Sequence, residues 1–335
     1  ALKSRRIKQN RPANKAGFSF WLGHDITRES SSFTGDFMEL DALWRPFDII
    51  GCNLIGKRFI GAQSVEGVLA LGSRLINQGY KLTYNLLGEH AIDIKATEMA
   101  LKTTLDLIRG MDSSNYGNVS CKPTLYGLMF SKTAFQDILC QIVEAAYKCG
   151  IEVEIDAESY DYLEDTFDVF SAFASNSFYR NTVRQAVQAH VRNIERLMDK
   201  HKLWDKNLRV VKGAGVYEEK DSVVTQNGFL IMERYMEILR RNIRNGRVPF
   251  AATVRDDNLA EEVIKFTADG RFPFEFQMLF GPLGEKLRRD LLSRGYSVRE
   301  YVPFTDEWCR DAWKPYGLRR AQMIRRKIWD ELLRL

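Results

Sequence analysis

Two adjacent arginines near the C-terminal end, Arg319 and Arg320, are the residues best suited to bind an anion. Neighbouring side chains on a helix point about 100° apart, so both can reach one anion only if it lies beside that helix. Tyr316 precedes the pair by one helical turn and could cover the anion. A carboxylate suits such a pair, because it accepts the two parallel hydrogen bonds that a guanidinium group donates. An arginine pair alone is usually a surface feature, so this interpretation depends on partners elsewhere in the chain.

Further polar side chains stand at the ends of short apolar runs. In a barrel of parallel strands these ends share one face, where such barrels build their active sites. Salt bridges or loop caps would explain one or two of these residues but not the whole set. Together with the arginine pair, Lys122 and Asp156 favour a binding site for a carboxylate. The residues at the run ends are Glu89, Lys122, Asp156, Glu158, Gln188, Lys212 and Gln277.

The elements that must position these side chains are eight short runs rich in β-forming residues, which alternate with amphipathic segments. Eight βα units in about 255 residues predict an α/β fold, a (β/α)8 TIM-type barrel. The predicted strands are residues 81–89, 118–122, 151–158, 184–190, 208–214, 248–254, 273–279 and 297–303, and helical periods include residues 135–148, 229–242 and 258–268.

The first 80 residues differ from the rest because they lack this alternation. Helical spacing occurs at residues 37–44 and 64–78. We therefore predict an N-terminal helical arm over residues 1–80, followed by a barrel domain over residues 81–335. The arm begins with a cluster of basic residues that indicates no function.

Composition excludes several classes of protein and partner. The 49 Lys and Arg residues against 44 Asp and Glu leave a net charge of +5 over 335 residues, which is small for a protein that binds a phosphate backbone. We expect no nucleic-acid partner. No apolar run approaches the roughly 18–20 residues of a membrane span. We expect a cytoplasmic protein, with peripheral contact at an inner membrane as an open alternative.

Cysteine and histidine spacing gives no sign of a metal site. The five cysteines are odd in number and contain no C-x-x-C pair, and the four histidines lack the spacing of metal ligands. We expect no metal and a reducing compartment. The sequence also lacks a P-loop and the glycine fingerprint G-x-G-x-x-G. Any nucleotide cofactor is therefore expected to lie outside a Rossmann domain.

Seven short strings in collinear order resemble the proline dehydrogenase family. Any one of them is a weak signal, but their shared order makes the resemblance specific, and it extends from about residue 57 to about residue 326. The resemblance implies a distorted (β/α)8 barrel that holds FAD, oxidises L-proline to Δ1-pyrroline-5-carboxylate and passes the electrons to a quinone at the membrane. The strings are LLGE at 86–89, KPT at 122–124, IDAES at 155–159, QAH at 188–190, RVVKGA at 209–214, FEFQMLFG at 274–281 and YVPF…Y..RR at 301–320.

Residue by residue, the resemblance implies a set of substrate contacts. Lys122, Arg319 and Arg320 correspond to the clamp on the substrate carboxylate, and Asp156 to the acid that pairs with the lysine. Glu89 corresponds to the acid that forms an ion-pair gate with Arg319. Tyr301 and Tyr316 correspond to the tyrosines that pack against the pyrrolidine ring, and Ala214 is a further predicted substrate contact.

The resemblance also implies a set of flavin contacts. Arg209 corresponds to the arginine beside flavin N5, and together with Lys122 and Asp156 it is predicted to be catalytic. A positive group at this place would stabilise the reduced, anionic flavin. The sequence identifies no base. The remaining predicted FAD contacts are Gln188, Lys212, Gly213, Ala214, Thr253 and Gln277.

Four positions depart from the family pattern, and they predict a change in substrate or in FAD affinity. Asn85 replaces an aspartate, Gly215 an aromatic residue, Val254 a histidine and Met323 a glutamate. Tyr217 and Gln322 could substitute for two of the lost side chains. Tyr301, in contrast, favours unsubstituted proline over 4-hydroxyproline, because its ring leaves little room for a further hydroxyl group.

Three alternatives to a proline dehydrogenase stay open. One is a relative that oxidises a different cyclic amino acid or proline derivative in a specialised pathway, which Gly215 favours. Another is a degenerate flavin-binding module with a regulatory role, and the third is a lyase with Lys122 or Lys212 as a Schiff-base lysine.

Overall fold

Eight parallel strands form a closed barrel, in which each strand pairs with its sequence neighbours and β8 pairs with β1. The computed structural model describes residues 56–214, 217, 219–253, 256–267 and 273–319. All eight predicted strands are confirmed, although most are shorter than the runs that predicted them. The strands are β1 Lys81–Leu86, β2 Asn118–Cys121, β3 Val153–Ile155, β4 Val183–Gln188, β5 Leu208–Val211, β6 Phe250–Ala252, β7 Glu275–Leu279 and β8 Val298–Phe304.

The helices alternate with the strands and bury one apolar face each. In α6, for example, Ile231, Tyr235, Ile238 and Leu239 recur at helical spacing and are buried. Residues 313–319, after β8, are also helical. The helices are α1 Val65–Asn77, α2 Ile94–Gly110, α3 Lys132–Lys148, α4 Tyr160–Ser175, α5 Ile194–Lys200, α6 Gly228–Arg244, α7 Asp257–Thr267 and α8 Glu285–Ser293, with 3-10 turns at Gly56–Phe59 and Glu307–Cys309.

The helices begin where the sequence provides a capping side chain. Ser64, Asp93 and Ser131 each accept a hydrogen bond from a backbone N–H group three residues later, at the first turns of α1, α2 and α3. Asn227 does the same for α6. Within the part of the chain that the structure describes, no helix is long and apolar enough to cross a membrane.

The inside of the barrel is polar. Thr83 of β1 and Gln277 of β7 donate hydrogen bonds to the carboxylate of Glu154 in β3, at 2.5 and 2.7 Å. Neither strand is adjacent to β3, so these side chains meet inside the barrel. Asn118 adds a third hydrogen bond to Glu154 at 3.1 Å. The apolar core lies instead between the strands and the ring of helices.

A segment before α1 runs beside the end of β8. Gly61 N–H donates to the carbonyl of Pro303 at 2.7 Å, and Ala62 forms a parallel bridge with Phe304. A Cβ atom on Gly61 would lie 2.5 Å from Cγ1 of Val302, so only glycine fits there. The division into an arm over 1–80 and a barrel over 81–335 stays a prediction, and the helix predicted at 37–44 lies outside the described residues.

Candidate active site

Asp156 lies at the centre of a buried cluster at one end of the barrel. Its Oδ2 atom accepts hydrogen bonds from Lys122 Nζ at 2.9 Å and from the Tyr301 hydroxyl group at 2.5 Å. Its Oδ1 atom accepts one from Arg209 Nη1 at 2.7 Å. Lys122 and Asp156 directly follow β2 and β3, whereas Arg209 and Tyr301 belong to β5 and β8. Four separate strands therefore supply one charge network.

The charges of this network stabilise one another. Burial by itself would raise the pKa of Asp156, but Lys122 and Arg209 outweigh it and lower that pKa. Burial likewise would lower the pKa of Lys122, but Asp156 raises it well above its ordinary value. All three groups are therefore ionised near neutral pH. Two cations against one anion leave one positive charge, which suits a negatively charged ligand.

Asn85 provides the second partner of Lys122. Its Oδ1 atom accepts a hydrogen bond from Lys122 Nζ at 2.8 Å. Because an amide carries no charge, the ammonium group is held in place without a second carboxylate to neutralise it. Asn85, which replaces the aspartate of the family pattern, thus leaves the site more positively charged.

Arg319 forms a two-point ion pair with Glu89. The nitrogen–oxygen distances are 2.8 and 3.2 Å, and the two side chains are 30% and 18% exposed. Glu89 lies three residues beyond β1, and Arg319 lies in the helical residues 313–319. The guanidinium group that was predicted to bind the substrate carboxylate is thus bound to a carboxylate of the protein in this structure.

Tyr301 touches both cations of the network with its ring. The guanidinium carbon of Arg209 lies 4.4 Å and Lys122 Nζ 5.9 Å from the ring centre, distances at which cation–π attraction operates. Its hydroxyl group also lies 2.8 Å from the Ser120 hydroxyl group. Tyr316 is buried in a small apolar cluster with Phe59, Leu87 and Trp313.

The sector from β4 to β7 fits a large ligand that carries its own donors and acceptors. Among the described residues, the buried polar atoms of this sector that lack a hydrogen-bond partner include His190 Nδ1, Arg209 Nε, Thr253 Oγ1 and Gln277 Oε1. Gly213 has a φ of +86°, and a Cβ atom there would collide with the His190 ring. At Gly213, just beyond β5, the chain therefore offers backbone atoms to a ligand and no side chain. These features fit the flavin contacts predicted for Arg209, Gly213 and Thr253.

Lys212, a predicted FAD contact, is paired with a carboxylate of the protein in this structure. It forms an ion pair with Asp256, which also caps α7 by accepting a hydrogen bond from Leu259 N–H at 2.9 Å. Both members of the pair are about one-third exposed, at 36% and 33%. Ala214, predicted to contact both substrate and flavin, is exposed just beyond Gly213.

Two other predicted FAD contacts, Gln277 and Gln188, have defined hydrogen bonds. The prediction that Gln277 stands at a strand end is wrong, because β7 continues to Leu279 and the amide of Gln277 is bonded to Glu154 and Thr83 inside the barrel. Polar residues alternate with apolar ones along β7, so its polar side chains face inward rather than mark an end. Gln188 does end β4 and donates to the backbone carbonyl of Glu158 at 3.2 Å.

Glu158 and Tyr217 lie close to the site, although Glu158 had no predicted role and Tyr217 was predicted only as a substitute for the aromatic residue missing at position 215. Burial raises the pKa of Glu158 to about 7. Burial also raises the pKa of Tyr217, and the carboxylates of Glu89 and Glu158 raise it further. For Glu158, the one signal in the sequence was its position at the end of an apolar run. The predicted clamp residue Arg320 and the departures Gly215, Val254 and Met323 lie outside the described residues.

The family model for proline dehydrogenase matches residues 68–322. The chain belongs to the proline dehydrogenase family. It is accordingly an oxidoreductase. Proline dehydrogenase 2 of Bacillus subtilis strain 168 is 28% identical over 265 residues, which cover 77% of this chain and 84% of that protein. The proline dehydrogenase of Deinococcus radiodurans is 26% identical over 269 residues, covering 76% and 83%.

Solved structures of larger proteins share the fold. Proline utilization A (PutA) from Bdellovibrio bacteriovorus, inactivated by N-propargylglycine, matches with a TM-score of 0.68 and 18% identity over 86% of this chain. PutA from Corynebacterium freiburgense matches with a TM-score of 0.64 and 15% identity over 87% of this chain. The chain spans about a third of each, 34% and 33% of their lengths. The predicted (β/α)8 fold is confirmed.

Proposed function

We propose that the protein oxidises L-proline to Δ1-pyrroline-5-carboxylate with FAD as the hydride acceptor. Membership of the proline dehydrogenase family supports proline oxidation. The observation that carries the proposal is the network around Asp156, whose two cations leave one positive charge at the site where the substrate carboxylate is expected. Such a charge attracts and orients an amino acid through its carboxylate.

The substrate carboxylate is proposed to bind Lys122 and Arg319. Lys122 is held by Asp156 and Asn85, so it needs no rearrangement to donate its third hydrogen. Arg319 exchanges one carboxylate for another when Glu89 gives way to the substrate. Because this ion pair is partly exposed, water screens it and the substrate carboxylate can displace Glu89. Arg320 is proposed as the second guanidinium on the same carboxylate.

The reaction removes a hydride from the ring carbon beside nitrogen and a proton from nitrogen, which together give the C=N bond of the product. FAD, when bound, supplies the hydride acceptor. Lys122 and Arg319 fix the carboxylate so that the reacting carbon is held at one place. The positive charge of Lys122 and Arg209 disfavours an ammonium group nearby, so the amine binds in its neutral form. The chain then needs no strong base.

The residues that would hold FAD are those with unsatisfied polar atoms between β4 and β7. Arg209 Nε, Thr253 Oγ1 and Gln277 Oε1 are buried, and no hydrogen-bond partner is found for them in the described part of the chain. Arg209 would place a fixed positive charge beside the flavin ring. The proposed electron acceptor is a quinone, which rests on the resemblance alone, as does contact with a membrane.

Electrostatics disfavour Lys122 as a Schiff-base lysine. A lysine that forms a Schiff base must lose its proton, which requires a lowered pKa. Asp156 instead raises the pKa of Lys122 well above its ordinary value. The amine is therefore a poor nucleophile in this structure.

A spectroscopic experiment tests the proposed function. Purified protein is loaded with FAD, freed of excess cofactor and mixed with L-proline without oxygen. We expect a flavin spectrum that bleaches on addition of L-proline and returns with a quinone analogue. Protein that retains no flavin would contradict the cofactor. Retained flavin that is reduced by another cyclic amino acid, but not by proline, would identify the alternative substrate, and flavin reduced by none would indicate a binding module.

A further inference from the structure

A buried threonine next to the proposed carboxylate clamp joins three separate loops. Thr124 is fully buried, two residues after Lys122. Its backbone N–H group and its hydroxyl group both donate to the carboxylate of Glu158, at 2.7 and 2.6 Å. In return, its hydroxyl oxygen accepts from His90 N–H at 3.0 Å, and its carbonyl oxygen accepts from Ala91 N–H at 3.1 Å. We call Glu158, Thr124 and His90 the Thr124 junction.

The junction holds a backbone that is unfavourable by itself. His90 has a φ of +52°, in the left-handed region that residues other than glycine seldom occupy. Such a conformation persists only where the surroundings fix it. Here the two hydrogen bonds from residues 90 and 91 to Thr124 supply that constraint. The residue before His90 is Glu89, the partner of Arg319.

Glu158, the acid of the junction, accepts hydrogen bonds from Thr124 and is not paired with a cation among the described residues. Both Glu158 oxygens are occupied by Thr124, and the described residues place no lysine or arginine within ion-pair distance of them. Glu158 itself is only 2% exposed. A buried carboxylate is costly unless neighbouring groups satisfy it, so its donors are held firmly. The turn that follows Lys122 is fixed as a result.

We propose that Thr124 and Glu158 are positioning residues that fix Lys122 and the Glu89–Arg319 ion pair relative to each other. The two proposed contacts of the substrate carboxylate lie on different loops, and the Thr124 junction is the hydrogen-bonded connection between them. Loss of the junction lets the loop of Glu89 leave its strained conformation. The distance between Lys122 and Arg319 is then no longer fixed, so the substrate carboxylate binds less tightly. The chemistry at the flavin is unaffected. The role in substrate binding rests on the proposed function.

The test replaces the threonine and observes the loop directly. Thr124→Val removes the hydroxyl group and keeps the side-chain shape. Its matched control is Thr97→Val in α2, because Thr97 is also buried and its hydroxyl group has no partner among the described residues. Thr124→Ser restores the hydroxyl group. Hydrogen exchange of residues 88–93 is measured on the full chain without substrate, together with the KM and kcat for L-proline of the FAD-loaded enzyme.

We expect Thr124→Val to increase exchange at residues 90 and 91 at least tenfold and to raise KM about tenfold, with kcat within threefold of the parent. Thr97→Val and Thr124→Ser should resemble the parent in both. Unchanged exchange in a folded Thr124→Val protein would overturn the proposal, as would a fall in kcat with no change in KM. If Thr124→Val does not fold, Glu158→Gln is measured by the same criteria and decides the matter.

The two proposals fail in different ways. A parent protein whose flavin is not reduced by L-proline overturns the proposed function, while the exchange measurement still tests the junction. An active parent together with unchanged exchange in folded Thr124→Val, or in Glu158→Gln where that variant does not fold, overturns the junction alone.

Discussion

The ammonium group of Lys122 donates a hydrogen bond of 2.8 Å to the amide oxygen of Asn85. An amide orients the lysine without neutralising it, so the charge stays available for a substrate carboxylate. Asp156 already supplies one negative charge at 2.9 Å. The family pattern has an aspartate at the position of Asn85. The site of this chain therefore has one carboxylate fewer beside Lys122.

Asn85→Asp should weaken substrate binding. The new carboxylate would bring the charge of Lys122, Arg209 and two acids to zero and repel the carboxylate of proline. We expect a rise in KM of about fivefold to tenfold, on the order of 1 kcal/mol for one screened charge. Steady-state kinetics measure it, with Asn77→Asp at the end of α1 as the control for added charge. An unchanged or lower KM would contradict the electrostatic account of this position.

Tyr301→Phe should lower kcat/KM about tenfold or more. The substitution removes the hydroxyl donor to Asp156 and leaves the ring beside Arg209, and a hydrogen bond to a charged group contributes roughly 1.5–3 kcal/mol. The matched control is Tyr235→Phe, since the Tyr235 hydroxyl group is buried with no partner found in the described part of the chain. Equal effects of the two substitutions would show that the hydroxyl group of Tyr301 has no special role.

Asp256→Asn should strengthen FAD binding several-fold. Lys212 is paired with Asp256 in this structure, and removal of that negative charge frees the ammonium group for the cofactor. Asparagine caps a helix about as well as aspartate, so α7 should be unaffected. Fluorescence titration of the apoprotein with FAD measures the change. The exposed neighbour Asp257→Asn is the control, and an equal gain in both variants would indicate a general charge effect.

The pH dependence of stability should reveal Glu158. Burial raises its pKa to about 7, against an ordinary value of 4.5, despite the opposing hydrogen bonds from Thr124 and the charge of Lys122. Between these values the folded protein holds a proton that the unfolded chain lacks, so this group makes the unfolding free energy fall as pH rises. Burial lowers the pKa of His190 to about 4, which makes the unfolding free energy rise with pH up to about 6.5.

In Glu158→Gln the contribution of Glu158 is absent, whereas those of His190 and of the other shifted groups remain as in the parent. The unfolding free energy of the variant should therefore rise with pH relative to the parent, by about 1.4 kcal/mol per pH unit between pH 4.5 and 7. Urea unfolding at several pH values measures this difference in slope. Lys122, Glu89 and Tyr217 also face Glu158 and are unchanged in the comparison. Parallel slopes would show that Glu158 titrates normally.

The strands were predictable because each buried strand of a parallel barrel is a short run of β-forming residues between turns. Their ends were less predictable. The run at 208–214 continues through Lys212 and Gly213, although β5 stops at Val211. Hydrogen bonding to neighbouring strands, rather than local composition, decides where a strand ends.

The site was predictable only in part, because residue types indicate chemistry but not contacts. The pairing of Lys122 with Asp156 followed from the resemblance. The pairing of Lys212 with Asp256 depends on how the loops after β5 and β6 approach each other, which no spacing in the sequence reveals. The Thr124 junction is similar, since Glu158 and Thr124 are 34 residues apart.

The pairing of β1 with β8 has a consequence for the synthesis of the protein. Arg299 in β8 donates to the carbonyl of Leu82 in β1 across 217 residues of chain. Until β8 has left the ribosome, β1 and β7 are open edges, and Asp156 lacks its hydrogen bond from Tyr301. The growing chain thus exposes unpaired barrel strands until β8 is made, a state prone to aggregation. Chaperone dependence during translation should therefore end abruptly when β8 emerges.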